Sequence, residues 1–214
     1  MASATSKARP QRLVLHGVDW DEYTRMLRAF AGRPGHRLTY DRGILEIVSP
    51  LFAHEIDGEL LGRFVVVLTE ELGLPVEAGR STTLRRRRMR RGLEPDLSWW
   101  IAHAAQVRGK RHINLRIDPP PDLAVEVGVT GRSIQRMPIY ARLRVPEVWR
   151  LDVHGLTFHV LQPNGDYSEQ PHSLVFPQFT PTDLSNFLAL RNQYDNNEVV
   201  RQFRAFVRQR LAKP

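Results

Sequence analysis

Apolar residues recur along this chain in two rhythms, one of helical and one of strand period. The clearest helical rhythm runs through AHEIDGELLGRFVVVLTEELG, where Ile56, Leu60, Phe64, Val67, Leu68 and Leu72 make one stripe and Gly73 supplies the stop. VDWDEYTRMLRAF predicts a shorter amphipathic helix with Asp19 as its cap and Gly32 near its end. IQRMPIYARL reads as a helix with Pro138 confined to its early turns. DLSNFLAL and EVVRQFRAFVRQRL read as two further helices. The last has Val199, Phe203, Phe206 and Leu211 along one side, for packing on the core or on a partner. Strand rhythm appears in HRLTYDRGILEIVSP, a hairpin turning at Asp41-Arg42-Gly43. It returns in VPEVWRLD and LTFHVLQP, with Asn164-Gly165 turning the chain toward YSEQPHSLVF. VEAGRSTTL and LEPDLSWWI are expected as two strands flanking an arginine-rich connection, and AHAAQVRGK as a short helix or turn.

One strand breaks the usual pattern. In PPPDLAVEVGV, residues 119–129, period two puts Leu123, Val125, Val127 and Val129 on an apolar face. Asp122, Ala124, Glu126 and Gly128 share the other face. A carboxylate in mid-strand is either wet or held in a site that wants negative charge. The small neighbours leave room beside Glu126. EPDLSWW repeats the arrangement, with Asp96 and Ser98 on one face and Leu97 and Trp99 on the other.

Composition narrows the class. At 214 residues, 42% apolar and 25% charged, the chain is that of one ordinary globular domain. The expected organisation is a flexible tail over 1–12, a domain over 13–190 and an amphipathic helix over 191–214 that packs on the domain or a partner. With no bilayer-length apolar run and no signal-peptide core, a soluble cytoplasmic protein is expected. The absence of cysteine excludes disulfides, thiolate metal sites and a cysteine nucleophile. Net charge is +8, and six arginines, Arg85, Arg86, Arg87, Arg88, Arg90 and Arg91, fall in one stretch. That run reads either as a solvated hairpin tip or as a loop contacting nucleic-acid phosphates.

There is no Walker A loop, no GxGxxG and no GxSxG, so neither a nucleotide cofactor nor a serine-hydrolase elbow is supported. The histidines have no zinc spacing, which leaves oxygen ligands and therefore Mg²⁺ or Mn²⁺ if a metal binds. Each acid alone could simply be a solvent-facing strand residue. Together, Asp96 and Glu126 on neighbouring strands would repel, and a divalent cation would resolve that repulsion.

With ILEIVSP followed by His54, then EPDLSWW, PPPDLAVEV and IYARLRVPEVWRLD, the chain resembles PD-(D/E)XK nucleases, and closely the Uma-two family of restriction endonucleases, roughly from Trp20 to Leu188. The resemblance implies an α/β restriction-endonuclease-like core, a mixed central sheet flanked by helices, and Mg²⁺-dependent hydrolysis of DNA phosphodiesters. It matches Asp96 and Glu126 to the motif acids and metal ligands, and Glu46 and His54 to positions kept near the site. The chain departs from the pattern at the lysine. The ExK place holds Gly128, and the position four residues before Tyr140, where the family's lysine looks displaced, holds Arg136. Arg136 could clamp a phosphate but could not accept a proton. Lys110 could stand in only by folding over the site. Only three of the 31 basic residues are lysine, so a general preference for arginine accounts for the swap.

The expectation is thus an endonuclease in which Asp96 and Glu126 hold the metal, Arg136 holds phosphate, and Glu46 or His54 orients water. The run Arg85–Arg91 would follow the DNA backbone. The competing expectation is a nucleic-acid-binding module that kept the fold after losing the lysine. A third is a structural protein, and a homodimer is compatible with any of them.

Overall fold

Strand period and turn chemistry sort the strands into two sheets. The computed structural model describes residues 11–212 except 32, 34, 50, 51, 81 and 129–132, and the backbone alone of 52–54. Most of the expected N-terminal tail, residues 1–10, and the helix stop at Gly32 lie outside the described residues. Gln11 and Arg12 already belong to strand β1 (Gln11–His16).

The first sheet is antiparallel. β1 pairs with β3 (Ile44–Ser49), which pairs with β2 (Arg37–Asp41). The β2–β3 turn falls where expected, with Arg42 at φ 47° and Gly43 at φ 103°, the two positive values that a tight hairpin demands. Helix α1 (Trp20–Phe30) covers one face. Asp19 and Glu22 form a reciprocal capping box at its start, and Tyr23 stacks on Tyr40 at 4.6 Å between ring centroids.

The arginine-rich stretch is no mere connection between strands. It is itself a hairpin, β5 (Leu84–Arg86) and β6 (Arg91–Leu93), joined by a 3-10 turn and completing the first sheet beside β2. Leu84 and Leu93 are fully buried and pair across the hairpin, which is why the chain folds back there. Among the described residues of VEAGRSTTL, strand is confined to β4 (Glu77–Ala78) and to Leu84, which opens β5.

The second sheet is mixed. Its order is β11 (Tyr167–Gln170), β10 (Gly155–Leu161), β9 (Glu147–Asp152), β8 (Leu123–Val127), β7 (Leu97–Trp100), β4. Among the described strands only β8 and β9 run parallel, and α4 (Met137–Leu143) supplies the crossover between them. A short helix, α3 (Ala104–Val107), follows β7. This is the mixed sheet flanked by helices that the resemblance implies, with the antiparallel sheet as an addition.

One face of the mixed sheet carries Leu97, Trp99, Leu123, Val125 and Val127. Helix α2 (Phe52–Glu71) packs on it, covered in turn by α5 (Pro181–Ala189) and α6 (Asn196–Leu211). Phe64 and Phe203 meet at 4.2 Å. Because α2 lies between sheet and helices, Leu61 and Val65 are buried besides the expected stripe. Each fully buried leucine or phenylalanine here contributes roughly 1.5–3 kcal/mol. The opposite face is covered by Ile139, Tyr140 and Leu143 of α4 and by Leu84 and Leu93 of the hairpin. Glu126 is on that covered face, so it is not wet.

Candidate active site

Register brings the two motif acids together. β7 and β8 pair antiparallel with Leu97 opposite Val125 and Ser98 opposite Ala124. One further step along this register sets Asp96 opposite Glu126, on the same face. Val127 N–H donates to Asp96 Oδ2 at 2.8 Å, tying the two strand ends together.

Glu126 is 1% exposed, a depth at which an ionised carboxylate needs a cation and hydrogen bonds. α4 and the residue before it provide both. Arg136 Nη2 is 3.0 Å from Glu126 Oε1, and the Tyr140 hydroxyl donates to the same oxygen. One turn separates Arg136 from Tyr140, so both side chains leave the start of α4 on one side. Arg136 also donates to the Glu94 carbonyl, while its Nε and Nη1 are buried without a hydrogen-bond partner among the described residues. Burial opposes its charge, but Glu126, Tyr140, Asp96 and Glu46 together outweigh that and hold it more firmly protonated than an ordinary arginine. Burial, then the charge of Glu126, pushes the Tyr140 phenol well above its ordinary range.

Glu46 enters from β3, fully buried. Its Oε1 is 3.2 Å from Arg12 Nε and accepts from Ser133 N–H at 2.8 Å, and its Oε2 has no hydrogen-bond partner among the described residues. Arg12 and Arg37 both stand opposite Val48, on the two strands flanking β3, so they share the face of Glu46. Arg37 reaches across to Asp96 at 3.8 Å. Arg12, Arg37 and Arg136 thus sit among Glu46, Asp96 and Glu126. Glu94 braces the assembly: its carboxylate accepts from Leu38 N–H and Thr83 Oγ1, both at 2.9 Å.

The expected residues fall into separate groups. Asp96, Glu126, Arg136 and Glu46 come together, although Arg136 is 5% exposed and engaged with Glu126. The side chain of His54 lies outside the described residues. Lys110 does not fold over the site and pairs with Asp118 instead. Gly128 has φ +68°, so the ExK position has a backbone conformation that disfavours lysine. The six hairpin arginines do not act alike: Arg91 is tied to Asp41 at 2.9 Å and Arg87 to Asp21 at 3.3 Å. Arg86 is half-buried, and Arg85, Arg88 and Arg90 are exposed. Arg91 is five residues before Asp96, hence at most about 17 Å away along the chain. Tyr140, Glu94, Arg12 and Arg37 are site residues that sequence reasoning misses. For Tyr140 and Glu94 the available signal is their place inside the IYARL and EPDLSWW motifs.

Whether a divalent cation suits these residues turns on donor type and number. The donors are carboxylate oxygens, which a hard cation prefers. No group of three or more Asp, Glu or His side chains is placed to hold an ion among the described residues. Two carboxylates are nevertheless what Mg²⁺ commonly takes from protein when waters and phosphate oxygens complete its shell. The pair Asp96 and Glu126 fits that sparse arrangement.

Comparison with known families is consistent with this geometry. The family Uma2, described as "Putative restriction endonuclease", matches residues 20–209 and falls within the restriction-endonuclease-like superfamily, whose members are generally divalent-metal dependent. No curated protein matches the chain. No described helix is long and apolar enough to cross a membrane.

Proposed function

This chain belongs to the Uma2 family of nucleases, and we propose that it is a Mg²⁺- or Mn²⁺-dependent endonuclease hydrolysing phosphodiester bonds in DNA. The observation that carries the reading is the placement of Asp96 opposite Glu126 on one face of adjacent strands, with buried Arg136 beside them.

Asp96 and Glu126 would hold the ion. When bound, such an ion acidifies a coordinated water and polarises the scissile phosphate. Arg136 remains protonated and cannot serve as a base. Its unmatched Nε and Nη1 donors suit a phosphate oxygen, where a buried guanidinium stabilises developing negative charge. Glu46 Oε2 is a buried acceptor suited to orienting water. His54 shares that role on family resemblance alone. The exposed hairpin arginines would contact the DNA backbone upstream of Asp96.

The test is nicking of supercoiled plasmid by the full chain with Mg²⁺ or Mn²⁺. Wild type should cleave, and Glu126→Gln should reduce the rate at least about 100-fold. Absence of cleavage by wild type, or undiminished cleavage by the variant, removes the catalytic reading. A second reading, a DNA-binding module without turnover, is favoured by the ion pair in which Arg136 replaces a lysine. It predicts salt-sensitive DNA binding without nicking under any divalent ion.

A further inference from the structure

A cleft of about 550 Å³, not lined by the paired acids themselves, lies between α1, the β4–β5 segment and residues 109–113. Its charged lining is Arg28, Arg85, Lys110 and Arg111 against a single acid, Glu77. Lys110 is committed to Asp118, and Glu77 to Arg108 at 2.9 Å. Arg28 and Arg111 make no ion pair with any described residue and are exposed. The cations come from three segments distant in sequence, and no single amphipathic pattern requires them to converge.

Two lining residues, Gly79 and Thr83, connect the cleft to the candidate active site. Gly79 lies so close on the sheet that an added Cβ would stand 2.4 Å from Trp100 and 2.8 Å from Ser98 Oγ, which keeps the floor low. Ser98 shares the face of Asp96. Thr83, on the cleft wall, donates to Glu94, whose carbonyl receives Arg136. A wall of hydroxyls and guanidiniums matches the groups that most often contact phosphate and sugar.

We propose that this cleft binds the phosphate backbone of the nucleic-acid strand whose scissile bond reaches Asp96 and Glu126, with Arg28, Arg85 and Arg111 as its phosphate contacts. The assignment of that strand as substrate rests on the endonuclease reading, while the binding itself does not.

The experiment is a fluorescence-anisotropy titration of a labelled twelve-nucleotide strand with the full chain in EDTA, at several salt concentrations. Arg28→Ala with Arg111→Ala should weaken binding roughly tenfold at 0.15 M salt and flatten the logarithmic salt slope by about 1.4, two phosphate contacts of a single strand. The control, Arg201→Ala with Arg208→Ala on α6, removes the same charge and should change affinity less than about twofold. Three results overturn the proposal: no strand binding by wild type, equal losses in the two double variants, or displacement of the strand by inorganic phosphate at the strand's own concentration. Because no divalent ion is present, a failure of plasmid nicking would not alter the measured strand affinity, and a failure of strand binding here would not by itself abolish nicking.

Discussion

Asp122 and Glu126 stand on the same side of one strand, the first just before β8 and the second near its end, yet they are held by different kinds of partner. Asp122 Oδ2 accepts from the backbone N–H groups of Ile101 at 2.7 Å and His103 at 3.1 Å, and its Oδ1 meets His103 Nδ1 at 2.5 Å. Its role is to fasten the segment after β7. Glu126 is held by side chains, Arg136 and Tyr140, and that arginine keeps two buried donors unmatched among the described residues. Backbone donors fix a shape and leave little for a ligand to do. Side-chain partners with spare donors leave hydrogen-bonding capacity that the proposed function assigns to a phosphate. Strand alternation identifies a face, and the type of partner distinguishes fastening from chemistry.

The sharpest way to break this contrast is activity. Glu126→Gln should cut plasmid nicking at least about 100-fold, whereas Asp122→Asn, assayed well below its melting temperature, should stay within roughly threefold of wild type. Equal losses in two folded variants would make both acids catalytic or neither. Stability should separate them next. Glu126→Ala strands a buried guanidinium and should lower urea stability by about 3–5 kcal/mol. Asp122→Ala leaves backbone donors unmet and should lower it by about 1–3 kcal/mol. Glu126→Leu with Arg136→Met should recover most of the larger loss, since a well-packed apolar pair can replace a buried ion pair.

Legibility in the sequence follows the same divide between local and non-local causes. Helix α1 is readable because its capping box is local, and the β2–β3 turn because Arg42-Gly43 supplies the required backbone. Asp96 and Glu126 are readable because strand period and motif spacing coincide at both. β1 is hidden: it is a half-exposed edge strand without clean alternation, and Arg12 acquires meaning only through Glu46 on the strand beside it. The arginine hairpin reads as a connection because its charges obscure the two buried leucines that fold it. The engagement of Arg136 with Glu126 is equally out of reach, since no periodicity reports what a crossover helix sets against a neighbouring strand.

The smallest expected effect is the pH-dependent part of what Tyr140 contributes. Its hydroxyl gives Glu126 one charge-assisted hydrogen bond, and Tyr140→Phe should lower stability at pH 8 by about 1.5–3 kcal/mol. The sign of its pH dependence then identifies the donor. In the unfolded chain a tyrosine ionises near pH 10, whereas burial and the charge of Glu126 keep the folded phenol protonated well beyond that. Its contribution is complete below about pH 10 and is lost as pH rises toward the folded value. Between pH 9 and pH 11 wild type should therefore lose about 1.4 kcal/mol more than Tyr140→Phe, one pH unit beyond the unfolded pKa. Tyr23 and Tyr167 are raised mainly by burial and will give both proteins a common alkaline decline, so the informative quantity is the difference between them. Urea midpoints at the two pH values measure it. Identical declines would mean that the phenol is not held by Glu126, and the contrast with Asp122 would then rest on Arg136 alone.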